Sequence, residues 1–354
     1  MISTLTTLLA LSLTVLLTHC TPPPHPQIAQ PHYTSPFSQS ADNALFHALL
    51  DFIGGTRETL DAAVYDVDHP DVWAALRAAC GRGVHVRLLH DGGNAAPPGA
   101  GGCPEVRAFD ATRSDHGLMH HKFAVADGAG LWTGSANWTT TGLQANANDA
   151  LVLRDRAMAL AFATQFDWLW SGGPREGYRH PYDPPVVARG TARATAYFSP
   201  DPQVEGVVVA QLNRARRRVE LAMFYLTNDR VYRALLDAMA RGVRVRALVG
   251  RRGAHDCALS EVDELAALGG ARTVPIAGAF HHKFAVIDGE TVLTGSANWT
   301  ASGFRRNFEN VLVLDDAGLA KAYLAHFDAL RHEADAYARG LTVLPGSRHF
   351  NALP

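Results

Sequence analysis

Hydrophobic and polar positions follow two rhythms along this chain, and the same succession of rhythms comes twice. Apolar residues at helical spacing over 44–52 and 207–215 predict helices. Apolar runs at 60–65 and 219–225 then predict strands. An amphipathic stretch comes next, at 72–80 and 231–239, and ends at Arg82-Gly83 and Arg241-Gly242. Glycine stops a helix there because it takes left-handed backbone without a Cβ clash. Valine-rich strands follow at 84–89 and 243–249. A β-hairpin closes each succession, turning at Asp127-Gly128 and Asp288-Gly289. Strands alternating with helices predict an α/β fold with one sheet per half. Two such halves are expected to pack about a pseudo-two-fold axis.

The repeat is visible in the residues themselves. Residues 120–142 read HHKFAVADGAGLWTGSANWTTTG and residues 281–303 read HHKFAVIDGETVLTGSANWTASG. Of these 23 positions 7 differ, which leaves 16 identical, at an offset of 161 residues. Weaker similarity extends upstream, where 60–84 aligns with 219–243, and a Phe-Ser pair precedes each half (Phe37-Ser38 and Phe198-Ser199). The expected organisation is a leader over 1–20, a Pro-rich tether over 21–36, a first half over 37–170, a Gly/Pro/Tyr-rich linker over 171–195, a second half over 196–335 and a tail over 336–354.

Composition narrows the function classes. With 47% hydrophobic and 19% charged residues the chain is an ordinary globular one, large enough to need no metal or disulfide staple. A net charge of -2 argues against a protein that grips long nucleic-acid backbones over its whole surface. Residues 2–18 carry no charge and are nearly all apolar or hydroxylic, too short for a comfortable membrane span and suited to an export signal. Cys20, directly after His19, resembles the lipid-attachment cysteine of bacterial lipoproteins. A secreted form and a form lipid-anchored on the extracytoplasmic face of a bacterial membrane both stay open. Cys80, Cys103 and Cys257 remain, an odd number. A buried free thiol is the expectation for Cys80, with Cys103–Cys257 or Cys80–Cys103 pairing as the alternatives in an oxidising compartment.

The chemistry sits in the repeat. On a strand, residues two apart share a face, so His120 and Lys122 project together while His121 and Phe123 point the other way. The same holds for His281 and Lys283. Across each hairpin Ser135 and Asn137, or Ser296 and Asn298, share a face. Each half thus presents an imidazole, an ammonium, a hydroxyl and a carboxamide. An ammonium attracts non-bridging phosphate oxygens, and hydroxyl and amide groups stabilise the charge that grows on a pentacoordinate phosphorus. Two imidazoles supply one nucleophile and one acid/base.

The pattern H-x-K-x4-D-x6-G-S-x-N, present as His120, Lys122, Asp127, Gly134, Ser135 and Asn137 and again as His281, Lys283, Asp288, Gly295, Ser296 and Asn298, resembles the signature of the phospholipase D superfamily. The resemblance implies two α/β/α sandwich halves, one active site between them, and covalent catalysis without metal or other cofactor. One histidine forms a phosphohistidine while the other protonates the leaving oxygen and then activates water. By similarity His120 is the nucleophile and His281 the acid/base. The family often carries an acidic residue eleven positions after the motif Asn. Glu309 fits, whereas the first half has Asn148 there with Asp149 beside it. That difference points to unequal histidines.

Other residues are given plainer readings. Asp127 and Asp288 fall at hairpin turns, where Asp serves turn geometry. His121 and His282 point away from the motif face, which argues against a zinc site. Packing is the expectation for Trp138, Trp299, Trp168 and Trp170, and a solvated helix face for Arg214, Arg216, Arg217 and Arg218. Arg305 and Arg306, where the first half has Gln144 and Ala145, are candidates for a second phosphate or an anionic head group.

The leading expectation is a monomeric phosphodiester hydrolase, of the phospholipase D type, that releases head groups from phospholipids. A metal-independent endonuclease is the alternative, since the resemblance covers compact nucleases too. A phosphatidyltransferase and a non-catalytic scaffold rank lower, because no membrane span follows residue 20 and no motif residue is missing.

Overall fold

The computed structural model describes residues 28–34, 43–95, 102–110, 117–173, 186–250, 260–274, 276 and 278–339. The leader, Cys20, Phe37-Ser38 and Cys257 lie outside them.

The first half opens with β1 (Ala29–Tyr33), α1 (Ala44–Gly55), β2 (Thr59–Val64), α2 (Pro70–Gly81), β3 (His85–Asp91) and β4 (Glu105–Phe109). The hairpin β5 (Lys122–Ala126) and β6 (Gly130–Gly134) follows, then α3 (Thr140–Gln144), β7 (Asp149–Arg154) and α4 (Arg156–Trp170). The second half repeats this as β8 (Val186–Arg189), β9 (Ala192–Ser199), α5 (Pro202–Arg214), β10 (Arg218–Met223), α6 (Asp229–Ala240), β11 (Arg244–Gly250), α7 (Ser260–Ala267), β12 (Ala271–Val274), β13 (Lys283–Ile287), β14 (Thr291–Gly295), α8 (Ala301–Arg305), β15 (Glu309–Asp315) and α9 (Ala317–Ala338).

The sheets have matching orders, β4-β3-β2-β5-β6-β7-β1 and β12-β11-β10-β13-β14-β15-β9-β8. In each, the first crossover is parallel and the motif hairpin antiparallel. The helices begin where a side chain satisfies free amides: Asn43 accepts from Phe46 N, and Asn228 from Arg230 N and Val231 N. α2 and α6 end just before Gly83 (φ +90°) and Gly242 (φ +84°), as their sequence implies.

Each sheet lies between two helical layers. α1 and α2 cover one face of the first sheet, α5 and α6 one face of the second. α4 and α9 fill the middle, where Phe123, Phe162 and Phe166 of the first half join Phe284, Tyr323 and Phe327 of the second in one buried cluster. The join is reciprocal. Met119 bridges to Phe308, and the equivalent Phe280 bridges to Ala147, as a pseudo-two-fold requires. Among the described residues no helix is long and apolar enough to cross a membrane.

Four expectations are corrected. The stretch read as tether contains β1, which pairs antiparallel with β7 from Ala29↔Leu153 to Tyr33↔Asp149 and is the counterpart of β9. Proline content hid it; Pro31 is tolerable because β1 is an edge strand. Tyr33-Thr34, rather than Phe37-Ser38, occupies the place of Phe198-Ser199: Thr34 Oγ1 donates to Asn146 O, and Ser199 Oγ to the equivalent Asn307 O. The stretch read as linker contributes β8 and the start of β9. Cys80 is half-buried and disulfide-bonded to Cys103 instead of free, tying the end of α2 to the edge strand β4.

Candidate functional site

Both motif segments approach the join just before their strands begin. His120 and His281 are each 7% exposed, while Lys122 and Lys283 are fully buried at the first positions of β5 and β13. Burying an ammonium is costly unless donors are engaged. Lys122 Nζ donates to His120 O at 2.6 Å, and Lys283 Nζ to His281 O at 2.8 Å. Each also lies over an aromatic ring, Tyr65 at 4.9 Å and Phe224 at 5.2 Å from the centroid. The same rings flank the imidazoles, at 4.8 Å for Tyr65–His120 and 5.0 Å for Phe224–His281.

The two motifs are completed crosswise. His120 Nδ1 lies 2.8 Å from Glu309 Oε1 of the other half. His281 Nδ1 lies 3.0 Å from Asn148 Oδ1. The carboxamide of Asn148 is oriented by its Nδ2, which donates to Gly142 O at 2.7 Å, so Oδ1 accepts from Nδ1–H of His281. Ser135 Oγ donates to the same Oδ1 at 2.8 Å. In both histidines Nε2 is therefore the nitrogen left for chemistry.

The next residues cross in the opposite sense. Asp149 meets His282, Nδ1 to Oδ1 at 3.0 Å, whereas Asn310 Nδ2 meets His121 Nδ1 at 3.3 Å. The second nitrogens of His121 and His282 face Gln165 and His326. Both doubled histidines thus point inward, as the strand pattern implies. Among the described residues no group of three or more His, Cys, Asp or Glu side chains is placed to hold a metal.

Electrostatics set the resting protonation. Burial, then the ammonium groups of Lys122 and Lys283, hold His120 and His281 well below the ordinary histidine range, so both are neutral at pH 7. Burial drives Lys122 down to about 7, against the pull of Glu309, Asp91 and Asp66. Burial and the neighbouring Lys122 lower Lys283 as well. Burial pushes Glu309 up to about 8, opposed chiefly by Lys122. A phosphate diester brings negative charge that favours the cationic forms of the two histidines and the two lysines.

Asn137 and Asn298 sit in the loops after β6 and β14, each with a buried Oδ1 that has no hydrogen-bond partner among the described residues. Ser135 and Ser296 have a second task, since each hydroxyl accepts a backbone amide at 3.0 Å, from Asp149 and Asn310. Gly134 and Gly295 allow that approach, because a Cβ on either would stand 2.3 Å from the facing carbonyl. Asp127 lies at the far end of β5 from Lys122 and accepts from the amides of Arg57, Glu58 and Thr59. Asp288 does the same for Arg216, Arg217 and Arg218. These carboxylates close turns and stand apart from the histidines.

Arg305 does not reach the histidines. Its guanidinium pairs with buried Glu205 at 2.6 Å, which Arg230 also meets at 3.0 Å. Arg306 is exposed, and its carbonyl accepts from Gly117 N two residues before Met119, which places it at the mouth of the join. Trp138 and Trp299 are buried in packing, and Trp170 stacks against Arg107 at 4.1 Å. Of the arginine run only Arg214 is on α5; Arg216 and Arg217 lie in the loop and Arg218 opens β10, and the amides of these three hold Asp288. Tyr65 and Asp149 were missed as members of the site by sequence reasoning. Their signal is present, since the repeat puts Phe224 and Asn310 at the same places.

A family model described as cardiolipin synthase, PLD-like domain, matches residues 49–170 and 208–331. Mitochondrial cardiolipin hydrolase of Xenopus laevis is 40% identical over 129 residues, covering 36% of this chain and 61% of that protein. Phospholipase D of Rickettsia bellii (strain RML369-C) is 33% identical over 138 residues, 38% of this chain and 68% of that protein. The chain spans between 59% and 63% of the length of three cardiolipin hydrolases it matches. The crystal structure of phosphatidylserine synthase of Haemophilus influenzae Rd KW20 superposes over 86% of both chains with a TM-score of 0.67 at 13% identity, a likeness of fold.

Proposed function

The chain belongs to the phospholipase D-like family, and on that premise we propose that it is a phosphodiester hydrolase working through a phosphohistidine at His120, with phospholipids as substrates. The observation that carries the division of roles is the crossed pairing: the carboxylate of Glu309 meets His120, and a neutral carboxamide meets His281. The imidazole that becomes a phosphoimidazolium is the one that gains most from a carboxylate at Nδ1.

His120 Nε2 attacks phosphorus, and the bond from phosphorus to the head-group oxygen breaks. Once the anionic diester is bound, His281 takes up a proton from solvent at Nε2, and the head-group oxygen leaves with that proton. Water then gives a proton to His281 and attacks phosphorus, and the P–N bond breaks to restore His120. Lys122, Lys283, Asn137 and Asn298 hold the non-bridging oxygens as charge accumulates on them. These groups supply the positive charge that a metal would otherwise bring, so turnover is expected to survive excess chelator. The His-Lys pairs of a single chain complete the site, which supports a monomer.

Mass spectrometry of an acid-quenched reaction tests the roles: phosphate on His120 is expected, and phosphate on His281 alone reverses them. Turnover intact in both His120→Ala and His281→Ala sinks the catalytic reading. Head-group release from vesicles, compared with degradation of plasmid DNA, decides the substrate; plasmid cleavage without head-group release makes the protein a nuclease. The apolar leader and Cys20 support an extracytoplasmic, membrane-associated setting, and labelling with a radioactive fatty acid, lost in Cys20→Ser, tests the anchor.

A further inference from the structure

Beneath the reacting histidines lies a second set of crossed contacts that the proposed chemistry does not use. Asp149 has a fully buried carboxylate. It accepts from His282 Nδ1 at 3.0 Å, from Thr294 Oγ1 at 2.6 Å and from Tyr323 OH at 3.2 Å. Its own amide donates to Ser135 Oγ, the hydroxyl that also holds Asn148 Oδ1 on His281. His282, the residue after His281, faces His326 on α9 with its other nitrogen at 3.2 Å.

The pseudo-symmetric place shows what such a clamp requires. There Asn310, an uncharged amide, meets His121, and Thr133 donates to its Oδ1 at 3.1 Å. An amide therefore suffices to hold the doubled histidine. A buried carboxylate carries a far larger desolvation cost than an amide. What the carboxylate adds is charge. Around the two buried ammonium groups, Lys122 and Lys283, these positions place two buried carboxyl groups, Glu309 and Asp149, and buried Asp91 lies near Lys122 as well. The first half carries Asn-Asp at 148–149 where the second carries Glu-Asn at 309–310, so each half contributes one carboxylate and one amide.

We infer that Asp149 is a positioning residue for the reaction: through His282 it locks the segment 281–283 of one half onto 148–149 of the other, and it supplies the buried negative charge that balances Lys283. This rests on His281 and Lys283 belonging to the reacting site, which His281→Ala tests separately. Burial pushes Asp149 up, but the hydrogen bond and charge of His282, with Thr294 and His326, outweigh it and hold the carboxyl below its ordinary range, so it stays charged. The groups that face it are His282 before β13, Thr294 on β14, Tyr323 and His326 on α9, and Tyr33 on β1. Lys283 in turn feels Lys122, Glu309 and Asp149.

The test follows hydrolysis of bis(4-nitrophenyl) phosphate by the full chain across pH. Asp149→Asn removes the charge and keeps the shape. It is expected to lower kcat by about 10- to 100-fold, the size of loss seen when the outer hydrogen-bond partner of a metal-ligating histidine is removed. The alkaline limb of kcat, which needs both Lys122 and Lys283 protonated in the substrate complex, is expected to move down by about one pH unit as Lys283 loses its carboxylate partner. The double variant Asn148→Asp/Asp149→Asn restores the charge count at the neighbouring position and is expected to return the limb to its original place. A folded Asp149→Asn protein with unaltered kcat and limb overturns the inference, because a purely structural role changes only melting. So does a folded double variant whose limb stays low, and that variant decides alone if the single one does not fold.

Discussion

His120 and Glu309 are 189 residues apart in the chain and 2.8 Å apart at Nδ1 and Oε1. One half holds the imidazole and the other its carboxylate, so the pair exists only when the halves are joined. On the proposed roles, the pair holds one proton, at Nδ1, when His120 is ready to attack, and a second when idle. With Glu309 pushed up to about 8 and the imidazole pushed down, the second proton leaves as pH rises through about 8. Lys122 must keep its proton, which it loses as pH rises through about 7 in the empty site. The two limbs cross, so kcat/KM is expected to be bell-shaped with its maximum between these values. Glu309→Gln is expected to cost about 10²-fold or more in kcat and to move the acid limb to lower pH, where the imidazole alone sets it. A flat acid limb in the native protein contradicts this assignment.

Anion binding should be linked to protons. Lys122 is lowered in the empty site, and a bound anion restores it toward the ordinary lysine range. Inorganic phosphate is therefore expected to bind with proton uptake at pH 8 and with little at pH 6. Calorimetry in two buffers of different ionisation enthalpy reads this directly; equal apparent enthalpies at pH 8 would count against it.

The Cys80–Cys103 disulfide closes a separation of 23 residues. Loop-closure entropy for that length corresponds to about 3 kcal/mol. The double variant Cys80→Ser/Cys103→Ser is expected to lose about that much stability in urea, with kcat retained, since the bond anchors an edge strand by its end remote from the histidines. A loss of kcat at full folding would show that β4 shapes the site.

Asp127 is invariant between the repeats yet touches only backbone amides of the turn before β2. Asp127→Ala is expected to cost about 1–3 kcal/mol of stability by leaving those donors unpaired. The kcat of the folded fraction should match the native protein. A kcat defect without a stability defect would return this residue to the reacting machinery.

Much of this was legible in the chain. Helix and strand periodicity located α2, α6, β2 and β10 to within a few residues, because local pattern and tertiary burial agree there. The identical motif cores marked His120, Lys122, His281 and Lys283. What sequence could not show is which half completes which. Eleven residues from Asn298 to Glu309 reveals a carboxylate, and only the join reveals that its partner is His120. The exchange of Asn148-Asp149 against Glu309-Asn310 read as one lost acid; in space it is a charge moved one position along. Prolines disguised β1, since an edge strand with one free flank tolerates what a central strand does not. Arg305 was read by nearness in sequence, but its side chain is claimed by Glu205, 100 positions away in the chain.

The reciprocal bridges, Met119 to Phe308 and Phe280 to Ala147, have a genetic consequence. In a dimer of identical chains every substitution at such a contact arrives twice, once on each side of the axis. Here the two sides are encoded separately. A substitution beside one histidine is not repeated beside the other, so selection can tune the two histidine sites independently. It follows that the two halves, expressed as separate polypeptides, would recover the site only as an unlike pair.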